Sequence, residues 1–153
     1  MAAPPKPGTS QPGMPTLPWQ IVITDWALDS YLNLKHAAVF SDQEYWKVIR
    51  PDVERLRGGI PSHDQKFTNA KFWGPAKLRN ATLPDGYKMK WHNLGTGKVQ
   101  LRLPVAIGGT KRTAFLCEAY VKRDAKYEDR KMARFKTHMN LISQGRYVYR
   151  GHL

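Results

Sequence analysis

Lys88 and Lys90 stand two residues apart in Pro84-Asp85-Gly86-Tyr87-Lys88-Met89-Lys90, a spacing that puts both ammonium groups on one face of a β-strand. Like charges side by side repel and bury nothing, so the pair points to an anion in front of it. Arg102, in Leu101-Arg102-Leu103-Pro104-Val105-Ala106-Ile107, falls on the strand expected beside this one. Lys122 and Arg123 close the last expected strand, and Tyr127 follows in the first turn of the last helix. Successive antiparallel strands can gather these groups into one concave patch. A patch of that kind suits RNA cleavage without metal, in which a 2′-hydroxyl attacks the neighbouring phosphorus. The reaction needs a base, an acid for the leaving 5′-oxygen, and cations around a phosphorane carrying extra negative charge. Arg102 and Arg123 fit the last role best, because a guanidinium fork engages two phosphate oxygens. Crowding by like charges lowers a lysine's pKa, so Lys88 or Lys90 can move a proton, with Lys90 the preferred base. Tyr127, His92 and Glu118 are further candidates for proton transfer. A single surface lysine is ordinarily a solvated charge, and only the set Lys88, Lys90, Arg102 and Arg123 points to chemistry.

The elements that must position these groups follow from pattern. Ile21-Val22-Ile23 is a short β-type run, and Thr24 or Asp25 can cap a helix carrying Trp26, Leu28, Tyr31 and Leu32. Ser41-Asp42-Gln43-Glu44 is a capping box opening a second helix that Pro51 kinks or restarts and Gly58-Gly59 ends. Residues 60–80 are loop-rich, with a weak strand at Lys77-Leu78-Arg79 and a Pro84-Asp85-Gly86 turn. Strands are expected at Tyr87–His92, Lys98–Ile107 and Thr113–Lys122, joined by turns at Asn93–Gly97 and Gly108–Arg112. Asp124 caps a last helix with the apolar stripe Met132, Phe135, Met139 and Ile142; Arg130, Lys131, Arg134 and Lys136 fill much of its remaining surface. The expected fold is α+β, in the order β-α-α-β-β-β-α: a small curved antiparallel sheet packed against an N-terminal helical pair and a C-terminal helix.

Length and charge set the class of partner. The 153 residues suffice for one domain with a core, and the net charge of +13 points to a polyanion. Residues 1–18, rich in Pro, Gly and Ser, read as a disordered arm, 19–144 as the domain and 145–153 as a C-terminal tail. No apolar run spans a bilayer and no secretory signal core is present, so a cytoplasmic protein without a membrane partner is expected. Cys117 is the only cysteine and reads as a small core residue. The histidines are scattered, which leaves metal ligation unsupported, and no nucleotide-binding glycine motif, nucleophile elbow or other cofactor signature occurs.

The chain resembles the RelE branch of the RelE/ParE superfamily of bacterial toxin–antitoxin toxins. The resemblance lies in Lys77-Leu78-Arg79, in Pro84 to Lys90, in Arg102-Leu103 opening an apolar strand, and in Val121-Lys122-Arg123 ahead of a basic helix. It runs from about Ile21 to Ile142. It implies a ribosome-dependent mRNA endonuclease, or mRNA interferase, that needs no small-molecule cofactor and is neutralised by an acidic antitoxin. It also implies that Lys88 and Lys90 match the family's strand lysines, Arg102 its strand arginine, and Arg123 the arginine before the last helix. The family's helix tyrosine lies slightly later than Tyr127, where this chain has Asp129-Arg130. Lys77, Arg79, Lys122, Arg130 and Arg134 are the expected contacts to mRNA and rRNA phosphates. Two other readings stand beside this one. The first is a ParE-like toxin that binds DNA gyrase and cuts nothing; the second is a basic nucleic-acid-binding domain without toxicity.

Overall fold

The computed structural model describes residues 18–60, 64–108 and 112–153. The expected arm therefore lies almost wholly outside the described residues, as does the middle of the expected turn at Gly108–Arg112. The chain runs β1 (Gln20–Thr24), α1 (Asp25–His36), α2 (Asp42–Glu44), a π-helical turn (Tyr45–Ile49), α3 (Arg50–Glu54) and two 3₁₀ turns, Arg55–Gly58 and Gln65–Thr68. It continues as β2 (Trp73–Leu78), β3 (Ala81–Leu94), β4 (Val99–Gly108), β5 (Thr113–Leu116), β6 (Tyr120–Val121), α4 (Ala125–Ser143) and β7 (Tyr149–His152).

The class is α+β, and the sheet is mixed, not antiparallel throughout. Its order is β2-β3-β4-β5-β1-β7, with β6 also on β4, and β1 lies parallel to β5. Parallel neighbours need a long crossover, and the helices and the β2-β3-β4 meander between β1 and β5 supply it. On its other edge β1 pairs with β7, so the segment expected as a C-terminal tail contributes a strand, and Leu153 donates its amide to the Ile21 carbonyl.

Local chemistry explains the helix ends. Thr24 Oγ1 accepts from the Ala27 amide at 3.3 Å and donates to the Leu116 carbonyl at 2.6 Å, joining the α1 cap to β5. The Ser41–Glu44 capping box forms in full, and the Glu44 carboxylate also accepts from the Gly95 amide in the β3–β4 turn. Gly95 has a φ of 68°, and an added Cβ there would lie 2.2 Å from the Val39 carbonyl oxygen, so this turn requires glycine. Pro51 cannot donate a backbone hydrogen bond, and the helix widens into the π turn just ahead of it.

Two expectations about the hairpin change. The tight turn lies at Arg79-Asn80, both with positive φ, and Pro84-Asp85-Gly86 is a bulge inside β3 where the pairing with β2 shifts register. Gly86 is needed there for a different reason. Phe135 and Met139 of α4 lie 2.9 and 3.0 Å from where its Cβ would stand, so α4 rests directly on the strand. The strand expected over Thr113–Lys122 is interrupted at Cys117–Ala119. Beyond Leu116 it loses β1 as a neighbour, and the Ala119 amide donates to Ser30 of α1 instead.

The sheet carries a core on each face. On one, Met89, Trp91, Leu101 and Leu103 pack with Phe40 of the α1–α2 connection and with Ile49, Val53 and Leu56 of the helical turns that follow. Asp52 is buried there and accepts from Trp91 Nε1 at 2.9 Å and Lys66 Nζ at 2.7 Å, so its charge is matched. On the other face Ala76, Leu83, Ala106, Phe115 and Tyr120 pack under Met132 and Phe135 of α4. Cys117 is fully buried in this second core, which pushes its thiol pKa up, in keeping with a packing role.

His138 of α4 stacks on Trp26 with ring centroids 3.9 Å apart, and its Nδ1 is buried without a hydrogen-bond partner among the described residues. Burial holds the imidazole below its ordinary 6.5; Arg134 and Lys131 push the same way and Glu118 opposes them. A depressed folded-state value means that the unfolded chain takes up the proton first. The stabilisation is therefore complete above about pH 6.5 and is lost as pH falls through the folded value. The melting temperature should decline between about pH 7 and pH 5. His138→Phe, which keeps the stack, should flatten that decline in a calorimetric pH series.

Candidate anion-binding site

Strand register builds the site. Lys90 lies directly opposite Arg102, Arg102 opposite Tyr120, and Lys88 opposite Pro104. Cross-strand partners share a face, and Lys88 and Lys90 share theirs through the two-residue period, so all of these groups point toward the α4 side. Lys122, two residues beyond Tyr120, continues the row, with its amide held by the Gln100 carbonyl at 2.8 Å. The opposite parity carries Met89, Trp91, Leu101 and Leu103 into the other core. One sheet thus sorts apolar residues to one side and a row of charge to the other.

Each cation is held differently. Lys90 reaches across β2, where Gly74 leaves it room, and donates to the Ala70 carbonyl at 3.0 Å. Burial lowers its pKa first, and Lys88, Arg102 and Lys122 lower it further by repulsion. Arg102 is only 4% exposed, and its guanidinium donates to the Leu101 carbonyl at 3.2 Å and to Gln100 Oε1 at 2.8 Å. Burial pushes its pKa below the ordinary arginine value, while Glu128 and Tyr120 act against that.

The counter-charge comes from α4. Glu128 Oε1 accepts from Lys88 Nζ at 2.8 Å and from the Tyr120 hydroxyl at 2.5 Å; Oε2 is buried without a partner among the described residues. Although burial pushes the carboxyl pKa up, the bonds from Lys88 and Tyr120 and the charge of Arg102 hold it below the usual range. Tyr120 itself is raised, by burial and then by Glu128, so its phenol stays protonated and donates.

The other expected residues form a second group. Arg123, Arg130 and Lys131 place their cations 5.1, 5.5 and 5.3 Å from the Tyr127 ring centre, within cation–π range. Tyr127 stands edge-on to Tyr120 at 6.3 Å, so one aromatic contact joins the two groups. A groove between α1 and α4 opens beside them, lined by Trp26, Asn33, Glu118, Arg123, Tyr127 and Lys131. Glu118 is bound there by Lys131 at 2.5 Å and Arg134 at 3.3 Å, which gives it an ion-pairing role. His92 Nε2 lies 2.7 Å from the Lys71 carbonyl oxygen on the exposed side of the sheet edge. Lys77 is exposed and alternates with Ala76, so it projects away from the α4 side, and Arg79 occupies the hairpin turn.

Lys88, Lys90, Arg102 and Lys122 are therefore brought together, whereas Arg123 lies over Tyr127, one ring away. Tyr120 and Glu128 are the members that the sequence reading missed. Their signal was present in the helix: Glu128 precedes Met132 by four residues and Phe135 by seven, so a lone carboxylate sits on the inward stripe. Among the described residues, no three His, Cys, Asp or Glu side chains are grouped to hold a metal ion. No helix among them is long and apolar enough to cross a membrane. No family model matches the chain, nor does any curated protein or solved structure.

The Tyr120 hydroxyl donates to a buried carboxylate and phenylalanine fills nearly the same volume, so Tyr120→Phe isolates that bond. It should destabilise the protein by roughly 1.5–3 kcal/mol, read as a lower urea midpoint at an unchanged slope.

Proposed function

We propose that this protein is a toxin of the RelE type that cleaves mRNA on the ribosome by 2′-hydroxyl attack, with Lys88, Lys90, Arg102 and Arg123 as its working cations. The observation that carries this reading is the in-register row Lys90–Arg102–Tyr120, with Lys88 beside it on the same face of the sheet. Three cationic side chains crowded on a partly desolvated strand face weaken the domain unless an anion offsets them. A phosphodiester that gains charge in the transition state is the anion such a row stabilises best. Burial, and then repulsion by Lys88, Arg102 and Lys122, lowers the Lys90 pKa below the ordinary lysine value, the direction that a proton-transfer role needs. Arg123, with Arg130 and Lys131 around Tyr127, suits the flanking phosphates and their bases. The acidic antitoxin implied by the resemblance has a matching surface in the same basic groove.

Induction in a bacterial host, followed by mapping of mRNA ends on translating ribosomes, tests the reading. Cuts at fixed codon positions are expected, and Lys90→Ala or Arg123→Ala should reduce cleavage by about a hundredfold or more. Growth arrest with intact mRNA and a DNA-damage response would transfer the assignment to gyrase inhibition. Absence of any growth effect would leave a basic nucleic-acid-binding domain.

The proton-transfer role carries its own signature. The cleavage rate should rise with pH toward a Lys90 value below the ordinary 10.5. In Lys88→Met the midpoint should move upward, because a repelling charge is gone and Glu128 is released from its partner. A midpoint that stays in place in this variant would assign the proton transfer to another group.

A further inference from the structure

Resting on the phosphodiester reading of this face, we infer that the phosphate subsite is the donor set Lys88, Tyr120 and Arg102, and that Glu128 fills it as an internal anion which the incoming phosphate displaces. The geometry is that of an occupied anion site. One carboxylate oxygen takes an ammonium proton at 2.8 Å and a phenolic proton at 2.5 Å, beside a guanidinium only 4% exposed. These are the donor types that hold a phosphate oxygen.

The carboxylate satisfies the set incompletely. Its second oxygen is enclosed and accepts nothing from the described residues, so half of its acceptor capacity is unused. A phosphodiester brings two non-bridging oxygens to the same donors and carries the same single charge. Exchange therefore keeps the charge balance of the pocket while adding acceptors. Glu128 can leave without disturbing the core, because it lies in the first turn of α4, whose anchoring residues Met132 and Phe135 come later. Its side chain is 18% exposed, and that of Lys88 is 16% exposed. The pair thus borders solvent, and a rotation about the side-chain bonds would carry the carboxylate outward.

Tyr120 becomes a phosphate donor in this scheme. Its raised pKa keeps the hydroxyl protonated while a second anion occupies the pocket. Arg102, buried and bonded to the Leu101 carbonyl and Gln100 in the resting protein, adds its charge to the ligand after the exchange. The internal anion also weakens binding of unspecific polyanions, since each must compete for a site already filled.

Binding of a 2′-O-methyl RNA oligonucleotide tests the exchange apart from cleavage, because that backbone has no free 2′-hydroxyl to attack. Glu128→Gln keeps the volume and one acceptor but removes the charge. It should bind about tenfold tighter than the unaltered protein at low salt, with a slope of log affinity against log salt steeper by about 0.7, the value for one more freed cation. In the unaltered protein, the Glu128 carboxyl ¹³C resonance should move toward that of a solvent-exposed carboxylate as the oligonucleotide is added. An unchanged or weaker affinity with an unchanged slope in the folded variant overturns the inference. Should that variant not fold, a Glu128 resonance that stays in place while RNA binds overturns it. If the unaltered protein cuts mRNA but neither signal appears, the exchange fails and the nuclease reading stands. If both signals appear and nothing is cut, the exchange stands and the nuclease reading fails.

Discussion

Lys88, Lys90, Arg102 and Lys122 crowd one face of a β-sheet, two of them substantially removed from water, and their mutual repulsion has to be met by negative charge. Glu128 meets it from α4, taking hydrogen bonds from Lys88 and Tyr120 beside Arg102. That carboxylate adds a polar contact between the first turn of α4 and the sheet. Packing of Met132 and Phe135 into the core, with Phe135 and Met139 against Gly86, seats the helix itself. The space left beside them is the groove.

The opposite face of the sheet makes that arrangement rigid. Met89, Trp91, Leu101 and Leu103 are locked into a core with the N-terminal helices, and a one-residue slip would exchange them with the charged row. Burial on one side therefore sets the register that aligns Lys90 with Arg102 on the other. Asp52, bound to Trp91 through the same core, ties the helical layer to the strand that carries the lysines. The parallel contact of β1 with β5 and the addition of β7 extend the sheet beyond the meander. Precision at the site is thus inherited from apolar packing that never touches it.

A pair of aromatic residues joins the two halves of the basic surface. Tyr120 belongs to the charged row through its hydroxyl and to the α4 core through its ring. Tyr127, edge-on to it, gathers Arg123, Arg130 and Lys131 around a second ring. A nucleic-acid backbone that ran along this surface would meet cations at intervals with aromatic faces between them. Such a pattern binds single strands through phosphates and bases together.

The helix caps at Thr24, Ser41 and Asp124, the strands over Tyr87–His92 and Lys98–Ile107, the apolar stripe of α4 and the shared face of Lys88 and Lys90 were legible in the sequence. Each depends on residues a few positions apart, where periodicity and capping chemistry act directly. The turn was misplaced because Pro84-Asp85-Gly86 has turn composition, while the pressure of α4 on Gly86 makes it a bulge. Arg123 was expected beside Arg102, but strand parity turned it onto Tyr127. Residue types and their spacing set which positions are charged, which alternate and where helices begin. Only long-range packing settles that β1 runs parallel to β5, that β7 joins the sheet, and that Glu128 meets Lys88 and Tyr120. Those outcomes turn on contacts between segments far apart in the chain, whose energies local patterns do not encode.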